Sequence, residues 1–399
     1  MNTIKLILSL LVMLLVSSCK NSINGDKDLF VIEPEIFYHQ ETTNLDINEV
    51  LNPSSIVLND SISDLLNEIT DNFLSTTNSE GIGISVNFKD SYPWNSYRGF
   101  SDSEKSISVD SSTQFHTASC GKLIMSTLIF SLIENEQLSL DDQIIKWFPN
   151  EKLFKDVTID HLLSHTSGIV TYEILKKFNN GIRIWSEEEL VELVVSEQNK
   201  KLFTPGSAFH YSNTGYVLLG IIARKVTGKS VSEIFEQNIK SKVGLIDIYY
   251  LDDDNCNSFI TASFDLYGDY IIPVSSNYVT APHGAGAFSS TPTELTNFFN
   301  KLLSGEILNS ESLIKLLSNL RLCERNDSVE VFYGRGIRLI KILVPGKEAS
   351  YIGHAGQFTG FGFKTNLFHC IENHVSISIM TNNEITTDPL MFKLAEAFK

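Results

Sequence analysis

Strand-like segments lie at both ends of the folded part of this chain, with helical segments between them. That order restricts the fold more than any other feature. "GIGISVNFKD" and "YPWNSYRGFSD" read as two strands joined by a turn. So short a connection makes them antiparallel. Beyond Phe332, "YGRGIRLIKIL", "TGFGFKTNLF" and "HVSISIMTN" read as strands again, and "DPLMFKLAEAFK" reads as a terminal helix. Ahead of the first strand, "NDSISDLLNEITDNFL" places Ile62, Leu65, Leu66, Ile69 and Phe73 on one helical face. The middle is mostly helical. "SEEELVELVVSEQ" opens with Ser186 and Glu189 in capping-box spacing. "SNTGYVLLGIIARKVTGKS" carries an apolar stripe that ends at Gly228. "TPTELTNFFNKLLSGE" offers Thr291 or Thr293 as a cap and Gly305 as a stop. The expectation is a mixed α and β (α+β) fold. One antiparallel sheet is built from both chain ends and flanked by helices, and the central helices form a second lobe.

The opening "MNTIKLILSLLVMLLVSSCK" sets Lys5 before an apolar run from Leu6 to Val16, then Ser17, Ser18 and Cys19. The run is too short to span a bilayer comfortably, and its flanks suit a secretory signal peptide. The ending resembles a bacterial lipobox, with Val16 where Leu is usual. Residues 1–18 are expected to be a lipoprotein signal peptide, with Cys19 the lipidated first residue of the mature chain. Residues 19–54 are expected to be a flexible tether and 55–399 one folded domain. A plain signal peptide cut nearby is the alternative. Both place the domain outside the cytoplasm. The lipidated form would sit in a bacterial envelope, on the periplasmic or the surface side of a membrane.

A net charge of -17 repels phosphate backbones and argues against a nucleic-acid partner. Cys120, Cys256, Cys323 and Cys370 are far apart with no CxxC pair, which argues against zinc. Sequence leaves their pairing open, and Cys120 reads as a small core residue.

Three motifs carry candidate chemistry. In "FHTASCGKLIMSTLIFSLIE", Ser119 and Lys122 stand three apart where an apolar helix begins. That spacing puts hydroxyl and amine on one helical face. The Ser119 N–H would be one of the unpaired donors of a helix start, suited to a developing oxyanion. Lys122 is useful as a base only when neutral, which burial or a neighbouring cation favours. Two other Ser-x-x-Lys matches, "SSCK" and "SLIK" from Ser312, fall at the leader and in an ordinary amphipathic helix. The second motif, "FTPGSAFHYSNTGYVLLG", holds Tyr211 and Asn213 on a loop between a Pro-Gly turn and a helix. A phenol near a lysine can pass a proton, and an amide can hold a substrate carbonyl or the lysine. The third, "YIGHAGQFTGFGFK", sets His354 and Gly356 among strand residues, with the Gln357 N–H as a second oxyanion donor.

Together these motifs resemble the serine β-lactamase and penicillin-recognising hydrolase family. The nearest branch holds class C β-lactamases, D-Ala-D-Ala carboxypeptidases and esterases, whose boxes are Ser-x-x-Lys, Tyr-x-Asn and Lys/His-x-Gly. "LSLDDQIIKWFP", "VTIDHLLSHTSGI" and "GAGAFSSTPTELTNFFNKLLSGE" also look like family blocks, so the likeness covers about residues 55 to 399. It implies a β-lactamase-like fold and an acyl-enzyme route with no metal or organic cofactor. Ser119 is the nucleophile, Lys122 and Tyr211 move protons, Asn213 orients substrate, and His354, Gly356 and Gln357 line the site. His161 and His165 stand at helical spacing, but the family block that holds them is structural. Glu173 is in surroundings unlike a class A deacylation loop.

His354 stands where class C enzymes carry a carboxylate-binding lysine, and Ala355 stands where they carry a hydroxyl. Both changes favour a D-Ala-D-Ala carboxypeptidase, peptidase or esterase over a class C-like β-lactamase. The expected partner is a small molecule or peptide, peptidoglycan among the candidates. A retired domain that only binds peptidoglycan or a partner is the reading of another class. Sequence does not specify the oligomeric state.

Overall fold

The computed structural model describes residues 35–38, 40–51, 58–77, 79–88, 92–102, 104–178, 185–252, 261, 263–267, 270–274, 282–358 and 362–398. Cys19 and Cys256 lie outside them, as does most of the segment between Asp252 and Tyr278.

The chain begins with β1 (Thr42–Thr43), α1 (Ile47–Leu51), α2 (Asp60–Leu74), β2 (Gly81–Phe88), β3 (Trp94–Gly99) and β4 (Phe115–His116). The helical stretch follows, with α3 (Gly121–Glu134), α4 (Ile159–Leu163), α5 (Glu187–Glu197), α6 (Asn213–Thr227), α7 (Val231–Phe235) and α8 (Ser241–Val243). Next come β5 (Ile248–Tyr250), β6 (Ser263–Tyr267), β7 (Tyr270–Val274), β8 (Phe288–Ser290), α9 (Pro292–Leu303) and α10 (Ser310–Leu316). The last third holds β9 (Leu320–Arg325), β10 (Val329–Tyr333), β11 (Arg338–Ile342), β12 (Ala349–Phe358), β13 (Phe363–Cys370), β14 (Val375–Thr381) and α11 (Asp388–Glu396).

The main sheet has the order β1-β9-β10-β11-β12-β13-β14-β2-β3. Its junction between the two chain ends is β14 against β2, antiparallel, with Ile377 opposite Val86 and Ile379 opposite Ile84. The sheet is thus built from both ends. Helices cover both faces at β2, which is buried along its whole length. On one face α9 packs through Ser85, whose hydroxyl lies 3.1 Å from that of Thr296. On the other, α2 and α11 close a core that includes Leu66, Ile84, Leu390 and Leu394. The larger core joins the helical lobe to the sheet around α3, which is buried from Gly121 to Leu132.

Local signals place most boundaries. Ser186 and Glu189 form a reciprocal capping box at the start of α5. Thr291, not Thr293, caps α9, because Pro at the first helical position fixes the turn there. Three expectations need correction. The described part of the supposed tether is not free: β1 pairs with β9 and Val50 is buried. A two-residue edge strand is too short to show a period. Leu65 is 40% exposed, since the α2 stripe runs through Ile62, Leu66, Ile69 and Phe73. "YGRGIRLIKIL" is no single strand: β10 and β11 are a hairpin that turns through Gly334 and Gly336, the latter with φ 76. Among the described cysteines, Cys120, Cys323 and Cys370 are buried and unbridged.

Candidate active site

Ser119 lies in a tight 3-10 turn, Ala118–Cys120, that feeds directly into α3. Ala118 has φ 47, a conformation that costs a residue with a Cβ about 1–2 kcal/mol. Its surroundings hold it there. The Ala118 N–H donates to His116 Nδ1 at 2.9 Å. Two glycines clamp the turn. A Cβ on Gly286 would lie 2.6 Å from the Ala118 carbonyl oxygen, and one on Gly356 would lie 2.7 Å from Ser119 N. Strand β12 therefore passes against the nucleophile's backbone, which explains the glycine of the third motif. Cys120, beside the nucleophile, is inert: burial pushes its thiol up to about 12.

Lys122 is fully buried on the first turn of α3. Its amine donates to Ser119 Oγ at 3.0 Å and to the Ala285 carbonyl at 2.7 Å. The Tyr211 ring centroid is 5.0 Å from the amine and that of Tyr216 is 5.6 Å away. The first two motifs thus meet. Asn213 opens α6, and its backbone N–H donates to Thr171 Oγ1 at 3.2 Å. The Asn213 amide donates to Glu173, and its Oδ1 is buried with no hydrogen-bond partner among the described residues.

His354 departs from expectation. It was expected to line a cleft wall and to meet a substrate carboxylate. It is fully buried, because the hydroxyl of Tyr333 and the backbone of β12 take up both ring nitrogens. The partners fix the tautomers of a directional chain. The Ser212 N–H donates to His165 Nδ1 at 3.1 Å, so His165 carries its proton on Nε2 and donates to Tyr333 Oη at 3.2 Å. Tyr333 then donates to His354 Nε2 at 2.8 Å, and His354 Nδ1–H donates to the Ala355 carbonyl at 2.6 Å. Burial, then the charges of Arg338 and Lys122, hold His354 well below the usual imidazole range. Burial and then Lys122 do the same to His165. His165 thus ties the Tyr211 loop to β12, while His161 belongs to the cap of α4.

Gln357 follows Gly356 on β12. Its side chain donates to Glu384 at 2.6 Å, leaving only its backbone as a candidate oxyanion donor. The decoy lysine, Lys315, is elsewhere, paired with Glu311 at 2.7 Å on α10. Sequence reasoning missed Ala285, Gly286, Tyr333 and Arg338. The first two stand in "GAGAF", where paired glycines before a strand signal close backbone approach. Arg338 is buried with its guanidinium 5.8 Å from the Tyr211 ring centroid. Nothing in its local sequence marks it, since only the β10–β11 hairpin brings it there.

A serine hydroxyl held by a buried lysine amine, with a phenol ring beside the amine and a strand glycine behind the serine, is the arrangement of an acyl-transferring serine site. Residues 67–395 match the Beta-lactamase family, and the chain belongs to it. Penicillin-binding protein 4* of Bacillus subtilis (strain 168) is 25% identical over 303 residues, 73% of this chain and 65% of that protein. The teichoic acid D-alanine hydrolase of Staphylococcus aureus (strain MRSA252) is 24% identical over 217 residues, 53% of this chain and 52% of that protein. This chain therefore spans less than two thirds of the length of either relative. D-amino acid amidase from Ochrobactrum anthropi SV3, complexed with L-phenylalanine amide, superposes with a TM-score of 0.73 at 21% identity, covering 85% of this chain and 98% of that one. The penicillin binding protein of Bacillus halodurans gives 0.67 at 22% identity, covering 84% and 100%. These structures share the fold.

Proposed function

We propose that this protein is a serine hydrolase that cleaves amide or ester bonds through an acyl-enzyme, on D-alanyl peptides or D-alanyl esters. The observation that carries this reading is the 3.0 Å contact of the buried Lys122 amine with Ser119 Oγ. In its neutral form Lys122 takes the Ser119 proton as Oγ bonds to the substrate carbonyl carbon. The Ser119 N–H, at the head of α3, and the Gln357 N–H are the candidate donors to the oxyanion. The leaving amine or alcohol departs with the proton that Lys122 received, relayed through Tyr211. Water then attacks the ester, gives up its proton by the same route, and frees Ser119. Asn213 orients the acyl portion.

The names of the relatives, a D-alanine hydrolase and a D-amino acid amidase, support an acyl residue of D configuration. A strong β-lactamase is the weaker reading, because β12 offers His354 buried and Ala355 without a hydroxyl. A domain that only binds is disfavoured by the assembled Ser119–Lys122 contact. A fluorophosphonate or penicillin probe should label the wild type and not Ser119→Ala. A wild type that stays unlabelled sinks the reading.

We also propose that Cys19 carries lipid and anchors the domain to a bacterial envelope membrane, with peptidoglycan within reach. Mass spectrometry should find the lipid, and Cys19→Ser should move the protein to the soluble fraction with hydrolysis intact. A wild type without lipid, recovered wholly soluble, contradicts this.

A further inference from the structure

A carboxylate that no step of the acyl transfer uses stands beside the site. Glu173 lies in the 3-10 turn Tyr172–Ile174 with its side chain exposed. Both oxygens are held from one side: Oε1 accepts from Asn213 Nδ2, and Oε2 accepts from the Thr171 hydroxyl. Thr171 Oγ1 accepts in turn from the Asn213 backbone N–H at 3.2 Å. This closed ring fixes the carboxylate against the residue two places beyond Tyr211. Tyr172, the buried residue before it, has its phenol pushed up by burial first and then by the charge of Glu173.

Among the described residues no lysine or arginine pairs with Glu173. Two carboxylate oxygens offer about four acceptor positions, so the ring leaves about two of them open to solvent. The sequence leaves Asn213 to hold a substrate carbonyl or the lysine. One of its donors goes instead to Glu173, and the exposed end of the ring carries negative charge. Asn213 is two residues from Tyr211, whose ring centroid is 5.0 Å from the Lys122 amine, and the α-substituent of an acyl group on Ser119 is one carbon from the attacked carbonyl. A negative, fixed, exposed acceptor there suits a cation and repels an anion.

We propose that Glu173 binds the α-ammonium of the acyl residue, so that the enzyme takes unblocked aminoacyl amides or esters in preference to N-acylated ones. This rests on the acyl-enzyme reading of Ser119. A charge-assisted hydrogen bond gives a preference of about 10- to 100-fold in kcat/KM. The preference should fade above pH of about 8, where a free α-amino group loses its proton.

The test compares D-alanine p-nitroanilide with its N-acetyl form, and labels Ser119 with a fluorophosphonate in every variant. The wild type should favour the free amine. Glu173→Gln should bring the ratio of the two close to one, chiefly through KM on the free amine. Glu173→Asp should keep part of the preference. Equal losses on both substrates would make Glu173 a mere support for Asn213 and overturn the proposal. So would a wild type that labels but shows no preference. A wild type that does not label overturns the acyl-enzyme reading, and this inference falls with it.

Discussion

Gly356 touches the backbone of the nucleophile: a Cβ placed on it would lie 2.6 Å from the Thr117 carbonyl oxygen and 2.7 Å from Ser119 N. Both neighbours are backbone, so no flexible side chain can give way. Gly356→Ala must therefore push β12 from the turn that holds Ser119. Overpacking of this kind costs about 1–3 kcal/mol, and misplacing a reacting group by an ångström costs about 100-fold in rate. The variant should fold with a lowered Tm and lose about that much kcat/KM on p-nitrophenyl acetate. Full activity would mean the contact does not set the nucleophile.

Lys122 and Lys315 occupy the same position in two Ser-x-x-Lys matches and have opposite surroundings. Lys122 is buried against Ser119, while Lys315 is exposed and pairs with Glu311 four residues away. Lys122→Met keeps most of the buried volume and removes the amine. Acylation should fall about 100- to 10,000-fold, the usual cost of losing a general base. Lys315→Ala should leave acylation unchanged and cost no more than about 0.5 kcal/mol of stability. Equal losses in the two variants, timed by fluorophosphonate labelling, would mean that the wrong serine has been chosen.

The difference between what sequence revealed and what it hid follows the range of the forces involved. Ser119 and Lys122 are one helical turn apart, so local geometry alone predicts their contact. The sheet of both chain ends follows from the pattern of segments, and the α5 cap from the spacing of Ser186 and Glu189. His354 was misread because its direction depends on Tyr333, 21 residues away, and on His165, farther still. Arg338 and Ala285 reach the site through a hairpin and a loop whose residues carry no periodic signal. Glu173 was dismissed on its sequence surroundings, and its bond to Asn213, 40 residues on, shows only in three dimensions.

Tyr333 joins the two histidines, so its hydroxyl supports two elements at once. Tyr333→Phe leaves the His165 Nε2–H without an acceptor and His354 Nε2 without a donor, both in a buried site. An unsatisfied buried polar group costs about 1–3 kcal/mol. Stability to urea should fall by at least that much. Activity should fall as well, since Ser212, held by His165, lies between Tyr211 and Asn213. A double variant, Tyr333→Phe with His354→Leu, should recover part of the stability by removing one orphaned atom. No recovery would mean that packing, not the hydrogen bonds, gives Tyr333 its weight.

The buried histidines also set a pH dependence. An unfolded histidine takes up a proton near pH 6.5. In the folded chain His354 and His165 are held well below that value, and burial pulls His369 down to about 3. Between about pH 6.5 and the lower folded values, the unfolded state binds more protons. Stability is therefore full above about 6.5 and is lost as pH falls through that window. Tm should drop from pH 7 to pH 4.5, and His369→Asn should flatten the decline. The same burial makes a prediction for catalysis. Were His354 a carboxylate-binding imidazole, the preference for anionic substrates over neutral esters would rise from pH 8 to 6. Because His354 stays neutral there, the ratio of kcat/KM for a cephalosporin and p-nitrophenyl acetate should show no such rise with a midpoint near 6.5. A rise that disappears in His354→Gln would mean that the imidazole reaches the substrate after all, and that the Tyr333 hydrogen bond opens during turnover.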